Sequence, residues 1–245
     1  AHARVEGGNA IEFVGVEALV RWPHPERGLL GPDKFLPLVR EFGLMRSLTD
    51  LVVERALDDV ARWKANGVRV PVAVNMFAPS LCDLELPKRI LRSLDERDLS
   101  PDLLTIEITE DLLLDDVDRT RQVLDSLRGR GTRVAIDDFG SGYSALGYLC
   151  ELPIDEVKLD RQFIAPIVDD ARAAAVVRAV VGLAHELGMT VVAEGVENHE
   201  TTTMLRDYGC DVAQGFHFSP PLAGAELCDL LRRLTSPEPA SSRSS

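Results

Sequence analysis

The sequence predicts an α/β fold, and within that class a modified TIM-type (β/α)8 barrel in preference to an open sheet. Short runs rich in β-branched residues alternate with amphipathic helices along nearly all of the 245 residues. No Gly-x-Gly-x-x-Gly and no Gly-x-x-x-x-Gly-Lys follows any of these runs, so the usual nucleotide-binding sheets lack support. Polar residues at the ends of the runs favour the barrel, whose active sites lie at the carboxyl ends of its strands.

Seven strands are predicted, one fewer than such a barrel needs. They cover Val14–Val20, Val70–Asn75, Leu103–Ile108, Arg133–Asp137, Glu156–Leu159, Thr190–Glu194 and Val212–Phe216. The shortfall lies at the N-terminus, where residues 1–10 are polar and atypical. We therefore expect the first strand to be missing or atypical, and its loss could leave one side of the barrel open.

Amphipathic helices lie between the predicted strands. They are expected from Ser47 to Asn66, over residues 117–128, from about Val176 to Leu187, and over Ala225–Leu234. Ser47 is expected to cap the first of them, and glycines follow the ends of the first three. The Ser- and Pro-rich residues 236–245 are expected to be a disordered tail, which leaves residues 11–235 as the folded domain.

The composition argues against several classes of function. The chain carries 40 acidic against 27 basic residues, a formal net charge of −13, so we expect no DNA or RNA polymer as a partner. No apolar run approaches the roughly 18 residues that span a bilayer, so we expect no membrane contact and a cytoplasmic location, here or within a larger protein. The four scattered cysteines argue against a disulfide framework or a zinc knuckle.

Nearly every predicted strand carries a charged or amide side chain near its carboxyl end. These residues are Glu17, Asn75, Glu107, Asp137, Asp138, Lys158, Glu194 and Gln214. Side chains alternate between the two faces of a strand, so Ile106 and Ile108 point one way and Glu107 points the other. In a barrel the apolar set would pack against the outer helices, and the polar set would converge inside the carboxyl-end mouth.

Each buried carboxylate taken alone could simply be paired with a neighbour, but seven strands that deliver polar groups to one rim call for a joint explanation. Isolated buried carboxylates are costly or pick up protons, and little positive charge shares this rim. Carboxylates with one amide oxygen form a hard oxygen shell suited to Mg²⁺ or Mn²⁺. The adjacent Asp137 and Asp138 suit a pair of ions, with one carboxylate bridging both.

Two other features have competing interpretations. Gly140 and Gly142 could make a tight connection after a strand, or could permit a mobile loop that sets the position of Asp138. The five histidines, at positions 2, 24, 185, 199 and 217, are interpreted as surface or packing residues outside the polar constellation.

The ordered motifs resemble those of the EAL domain family of cyclic di-GMP phosphodiesterases. The matching segments are Glu17-Ala-Leu with Arg21-Trp22, Val-Asn75, Glu107-Ile-Thr-Glu110, Asp137-Asp138-Phe-Gly140-Ser-Gly142, Asp155-Glu-Val-Lys158, Glu194-Gly-Val-Glu197 and Gln214-Gly-Phe. Any one of these motifs is weak evidence, whereas six or more in a fixed order, between about Val14 and Leu234, are very specific.

The resemblance implies a barrel with one strand reversed and a metal-dependent hydrolysis of cyclic di-GMP to linear pGpG in bacterial second-messenger signalling. It implies two Mg²⁺ or Mn²⁺ ions, with Ca²⁺ inhibitory. The first ion would be held by Glu17, Asn75, Glu107 and Asp137. The second, with its water, would be served by Asp137, Asp138 and Glu194. Lys158 would act on the water, Arg21 would hold substrate phosphate, and Gln214 would contact the substrate or the water network.

The resemblance also implies supporting residues and partners. Glu110 would anchor the loop that carries Gly140 and Gly142 and link it to dimer contacts, although Glu110 could equally cap the following helix. Glu197 would support the site from its motif. A homodimer is expected, possibly fused to a sensory or diguanylate cyclase module outside this chain.

One departure from the family pattern leaves an alternative open. Family members usually begin with a Tyr-Gln-Pro-Ile-like strand, whose Gln helps bind a guanine, and nothing like it precedes Glu17. A domain without that strand could be catalytically impaired and act as a cyclic di-GMP sensor or a protein-interaction scaffold.

Overall fold

A computed structural model describes residues 1–4, 12–109, 116–140 and 145–235 of the chain. The expected tail at 236–245 lies outside the described residues, as do Glu110 and Gly142 and most of the atypical segment 1–10.

Eight strands form a closed barrel, which confirms the predicted fold class. They are β1 (His2–Arg4), β2 (Phe13–Glu17), β5 (Val72–Asn75), β6 (Leu104–Thr109), β7 (Arg133–Phe139), β8 (Glu156–Leu159), β9 (Thr190–Ala193) and β10 (Val212–Gln214). Around the barrel their order is β1, β10, β9, β8, β7, β6, β5 and β2. Each pair of neighbours is parallel, except that β1 runs antiparallel to both β10 and β2.

The first strand is atypical rather than missing, which corrects the count of seven. Strand β1 has three residues and closes the barrel, with His2 opposite Gln214 on one side and Gly15 on the other. Its brevity and polarity give no hydrophobic periodicity, because alternation needs at least four or so residues to be recognised. The barrel is therefore not open along this side.

Helices surround the barrel, and a small hairpin follows β2. The hairpin is formed by β3 (Trp22–His24) and β4 (Gly28–Leu30). The helices are α1 (Pro32–Glu41), α2 (Met45–Ala65), α3 (Ala78–Leu81), α4 (Leu86–Asp95), α5 (Val117–Arg128), α6 (Ala145–Glu151), α7 (Arg161–Ile164), α8 (Ala171–Glu186), α9 (His199–Asp207) and α10 (Gly224–Thr235), with a 3₁₀ turn at Pro101–Leu103. Helix α2 begins before Ser47, and its N-cap is Leu44, so the predicted Ser47 cap is wrong.

The core lies between the strands and the helices. Ile106 and Ile108 of β6 belong to one buried apolar cluster with Leu124 and Leu127 of α5. Glu107, on the opposite face of β6, is equally buried but lies inside the barrel with other polar side chains. Within the described residues, no helix is long and apolar enough to cross a lipid bilayer.

Candidate active site

Four carboxylates meet one buried ammonium group at the carboxyl end of the barrel. The Nζ atom of Lys158 lies 2.7 Å from Glu107 Oε1, 2.9 Å from Asp137 Oδ1 and 2.7 Å from Glu194 Oε1. Glu17 Oε2 lies 3.7 Å away. The side chain of Lys158 is 0% exposed. The structure therefore brings together the residues that the strand-end pattern placed at one mouth.

Two amide side chains fix the orientation of these acids. Asn75 Nδ2 donates to Glu17 Oε1 at 2.9 Å and to Glu107 Oε2 at 3.1 Å. Gln214 Nε2 donates to Glu17 Oε2 at 2.6 Å, so both oxygens of Glu17 are held. Since the O and N atoms of an amide exchange places by a simple flip, Asn75 can also present its oxygen to the same point.

The two adjacent aspartates reach one site because the strand is distorted between them. Neighbouring residues on a regular strand point to opposite faces. In β7 the register shifts between Ile136 and Phe139, and Asp138 has a φ of 53°. Carboxylate oxygens of Asp137, Asp138 and Glu194 thus lie within 4.8 Å of one another. The left-handed backbone is an uncommon conformation for a residue other than glycine, and such strain is typical of functional sites.

Gly140 directly follows the distorted end of β7 and stabilises the turn there. Its φ is 97°, and a Cβ atom at this position would lie 2.7 Å from the ring of Phe163. Both the backbone conformation and the close packing against Phe163 therefore require glycine.

The electrostatics show more negative charge than one lysine can balance. Burial works against the charge of Lys158, but the surrounding acids, Glu107 foremost, raise its pKa well above the usual value. Burial, with repulsion from neighbouring acids, outweighs the attraction of Lys158 and raises the pKa of Glu107 well above its usual value. For Glu194, burial and the nearby Asp137 raise the pKa to about 7 despite Lys158.

Two further acids of the mouth, Asp138 and Glu17, have pKa shifts in opposite directions. Burial, with Asp137 and then Asp160 as neighbouring charges, raises the pKa of Asp138 to about 6. Burial also disfavours the charge of Glu17, but Lys158 and the hydrogen bond from Gln214 outweigh it and lower the pKa of this carboxyl. The mouth therefore holds a mixture of ionised acids and acids that resist ionisation, as expected where positive charge is in short supply.

The donor set fits divalent cations. Two groups of side chains each place their ligand atoms within 4.8 Å of one another, namely His2 with Glu17 and Glu107, and Asp137 with Asp138 and Glu194. The buried atoms Glu107 Oε1 and Asp137 Oδ1 contact Lys158 as ion pairs but have no directed hydrogen bond within the described part of the chain. Buried carboxylate oxygens without directed donors are what a hard cation needs.

His2 is a member of the mouth that the sequence interpretation placed elsewhere. Its ring lies in the barrel beside Glu17 and Glu107, which corrects the expectation that all five histidines lie outside the constellation. Burial and the charge of Lys158 lower the pKa of His2 to about 3, so the imidazole is neutral. Strand β1 has only three residues, which are too few for sequence alternation to show that His2 points into the barrel.

The other predicted residues lie farther from the acids. Arg21 is exposed, and its guanidinium donates to the carbonyl oxygen of Val20 at 2.8 Å. Glu197 forms an exposed ion pair with Arg161 at 2.7 Å. Asp160, which caps α7, was not singled out from the sequence, although its charge acts on Asp138.

The fold and this mouth define a class of protein, the α/β barrels whose carboxyl-end mouth could hold metal ions on a cluster of acids. Within that class the chain belongs to the EAL domain family, whose family model matches residues 9–221.

Two curated relatives and one solved structure support the assignment to this family. The chain is 39% identical over 219 residues to cyclic di-GMP phosphodiesterase PA2567 of Pseudomonas aeruginosa, covering 89% of this chain and 37% of that protein. It is 41% identical to cyclic di-GMP phosphodiesterase NbdA of the same organism, covering 89% of this chain and 28% of NbdA. The structure of the PaMucR phosphodiesterase in complex with c-di-GMP matches with a TM-score of 0.81 at 34% identity, covering 92% of both chains. The chain thus spans about a third of the length of these two curated relatives.

Proposed function

We propose that this domain hydrolyses cyclic di-GMP to linear pGpG with two Mg²⁺ or Mn²⁺ ions. The observation that carries the proposal is the convergence of four carboxylates on the single buried Lys158. The names of the relatives supply the substrate. When bound, two divalent ions would activate a water, clamp the phosphoryl oxygens and stabilise the leaving 3′-oxygen.

The two groups of ligand atoms suggest how the ions would be held. Glu17, Asn75, Glu107 and Asp137 would hold the first ion. Asp137, Asp138 and Glu194 would hold the second, with Asp137 shared between the two. The short separation of Glu17 from Glu107, the hydrogen bonds of Asn75 to both, and the grouping of Asp137 with Asp138 and Glu194 support this division.

The remaining side chains would act on the water and the substrate. Lys158 would orient the attacking water as a point charge, because the acids around it keep its ammonium group protonated. Glu194, 2.7 Å from Lys158 and close to Asp137 and Asp138, would serve the second ion and its water. Arg21 would turn from the Val20 carbonyl to hold a phosphate, and Gln214 would contact the substrate beside Glu17.

The proposal is tested by incubating the chain with cyclic di-GMP and either Mg²⁺ or Mn²⁺, and measuring pGpG. We expect turnover in the wild type, and a loss of at least about 10²-fold in Glu17→Ala. Glu26→Ala, which removes an exposed glutamate from the hairpin turn, is the matched control and should turn over normally. Absence of turnover in the wild type, or normal turnover in Glu17→Ala, would refute the proposal.

Substituting Ca²⁺ is a second test of the metal requirement. We expect Ca²⁺ to inhibit, since it takes a looser shell with more ligands than Mg²⁺. Full activity with Ca²⁺ alone would contradict the proposed metal geometry.

The alternative of an impaired sensor or scaffold was favoured by the apparent lack of a first strand. Strand β1 closes the barrel, so the barrel is not open on that side, but its sequence His-Ala-Arg lacks the Gln of the family motif. Binding of cyclic di-GMP without pGpG formation would support this alternative.

We further propose that the domain works in the cytoplasm as a homodimer and belongs to a longer protein with a sensory or diguanylate cyclase module. Support comes from the relatives, among them a bifunctional diguanylate cyclase/cyclic di-GMP phosphodiesterase, MucR, at 37% identity, of which the chain covers 32%. Light scattering of the isolated chain in solution would test the homodimer.

A further inference from the structure

The imidazole of His2 lies in the mouth beside Glu17, Glu107 and the side chain of Gln214. Strand β1 runs opposite to its neighbours, and this direction places His2 beside Gln214, near the carboxyl end of β10. The residue is 6% exposed. One of its ring nitrogens lies within 4.8 Å of carboxylate oxygens of both Glu17 and Glu107.

The neighbours of His2 leave its ring close to these acids. Gly15 faces the ring across the β1–β2 pair, and a Cβ atom there would lie 3.1 Å from Nδ1, so a larger residue would push the imidazole away. The Nε2 atom is buried and has no hydrogen-bond partner among the residues that the structure describes. A buried ring nitrogen without a partner is uncommon, and bound metal is one of the explanations for it.

We propose that His2 provides a nitrogen ligand to the ion held by Glu17 and Glu107, and that it shifts this site's preference from Mg²⁺ towards Mn²⁺ and other transition-metal ions. The proposal rests on the metal-dependent function proposed above. Imidazole binds the later first-row metals well, whereas Mg²⁺ favours an octahedral shell of oxygens and waters. The first site would therefore be mixed in ligand type, unlike the all-oxygen set of Asp137, Asp138 and Glu194.

Pulsed electron paramagnetic resonance of Mn²⁺ bound to the whole chain tests the ligand directly, without substrate. A coordinated imidazole adds a ¹⁴N coupling to the Mn²⁺ spectrum. We expect this coupling in the wild type, its loss in His2→Gln, and its retention in the matched control His185→Gln. His185 lies at the end of α8, paired with Asp211, away from the acids of the mouth.

Calorimetric titration of both metals gives the second readout. We expect His2→Gln to weaken Mn²⁺ binding by about 10- to 100-fold, and Mg²⁺ binding by much less, since the oxygen ligands remain. If His2→Gln does not fold, wild-type chain labelled with ¹⁵N-histidine replaces it, because the label converts the ¹⁴N coupling to a ¹⁵N coupling without a mutation.

Three results would overturn the proposal: no nitrogen coupling in the wild type, an unchanged coupling in His2→Gln, or equal losses of Mn²⁺ and Mg²⁺ affinity. The proposed hydrolysis is judged separately by pGpG formation. A wild type that shows the histidine coupling but makes no pGpG would refute the proposed hydrolysis and would still support His2 as a metal ligand.

Discussion

The two ends of the barrel hold charge in different ways. At the amino end, Arg133 lies 3.4 Å from Glu156 and donates to Thr190 Oγ1 at 2.9 Å, while Arg128 lies 2.8 Å from Asp155. Each of these acids has a base of its own. At the carboxyl end, four carboxylates share Lys158.

The acids at the amino end are matched by arginines, whereas the carboxylates at the carboxyl end outnumber the one lysine that they contact. A cavity of about 420 Å³ opens at the amino end, lined by residues such as Arg133, Glu156 and Asp211, and it reaches His2 but none of the five acids of the mouth. Charge imbalance rather than cavity size therefore marks the candidate site. Asp155, part of a family motif with Lys158, belongs to the balanced end, where it also accepts from the Val134 amide at 3.0 Å.

Removing the central cation should give the largest effect. In Lys158→Met, the buried acids lose the ammonium group that four of them contact, so we expect the free energy of unfolding in EDTA at pH 7 to fall by about 3–5 kcal/mol. Urea denaturation measures it. Arg133→Met is the matched change at the balanced end, where partial exposure should limit the loss to about 1–2 kcal/mol. Equal losses of unfolding free energy in the two variants would show that the two ends do not differ in how they hold charge.

The next largest effect should be a dependence of stability on pH that comes from Glu194 in the mouth. The pKa of Glu194 is about 7 in the folded protein, against an ordinary value of 4.5, so the folded state keeps a proton that the unfolded chain releases. Without metal, this group's contribution is present below about pH 4.5 and is lost as the pH rises towards 7, by on the order of 2–3 kcal/mol.

Urea denaturation in EDTA between pH 4.5 and 7.5 tests this dependence. The difference between wild type and Glu194→Gln should show the loss, since the amide does not titrate. Saturating Mn²⁺ should reverse the trend, because metal binding requires ionised carboxylates. Parallel curves for the two proteins in EDTA would show that Glu194 does not hold the extra proton.

The distorted end of β7 should tolerate little change. In Gly140→Ala we expect a loss of about 1–3 kcal/mol in unfolding free energy, because the new methyl group meets Phe163 and the backbone is left-handed. Gly182→Ala, in open space on α8, is the control and should stabilise by up to about 1 kcal/mol. A Gly140→Ala variant as stable as the wild type would show that the turn is not constrained.

The smallest effect is expected at the rim. Glu197 and Arg161 are both more than half exposed, so Glu197→Gln should change the unfolding free energy by less than about 1 kcal/mol. A larger loss in urea denaturation would show that this pair supports the mouth more than its exposure suggests.

Most of the barrel follows from local sequence pattern. Strands such as β6 and β8 are recognised from alternation and composition, and parity alone places Glu107 and Lys158 inside. The resemblance to a family then groups these residues into a site. Strand β1 was not recognised because its three residues, two of them polar, are too few to show periodicity, and its pairing depends on distant partners.

Two features of the site depend on tertiary structure and could not be predicted from the alternation of residues in the sequence. The inward position of His2 follows from the reversed direction of β1. The turn of Asp138 towards the mouth follows from a register shift and a positive φ, neither of which sequence alternation reveals.

The most direct test of the central claim is thermal unfolding of the chain with Mn²⁺ and with EDTA. If the excess of carboxylates over Lys158 forms a cation site, Mn²⁺ at about 100 times its Kd should raise the Tm of the wild type by about 5–10 °C. The double variant Glu107→Gln, Asp137→Asn should show no such rise. The same Tm in Mn²⁺ and EDTA for the wild type, or an equal rise in the double variant, would contradict the account.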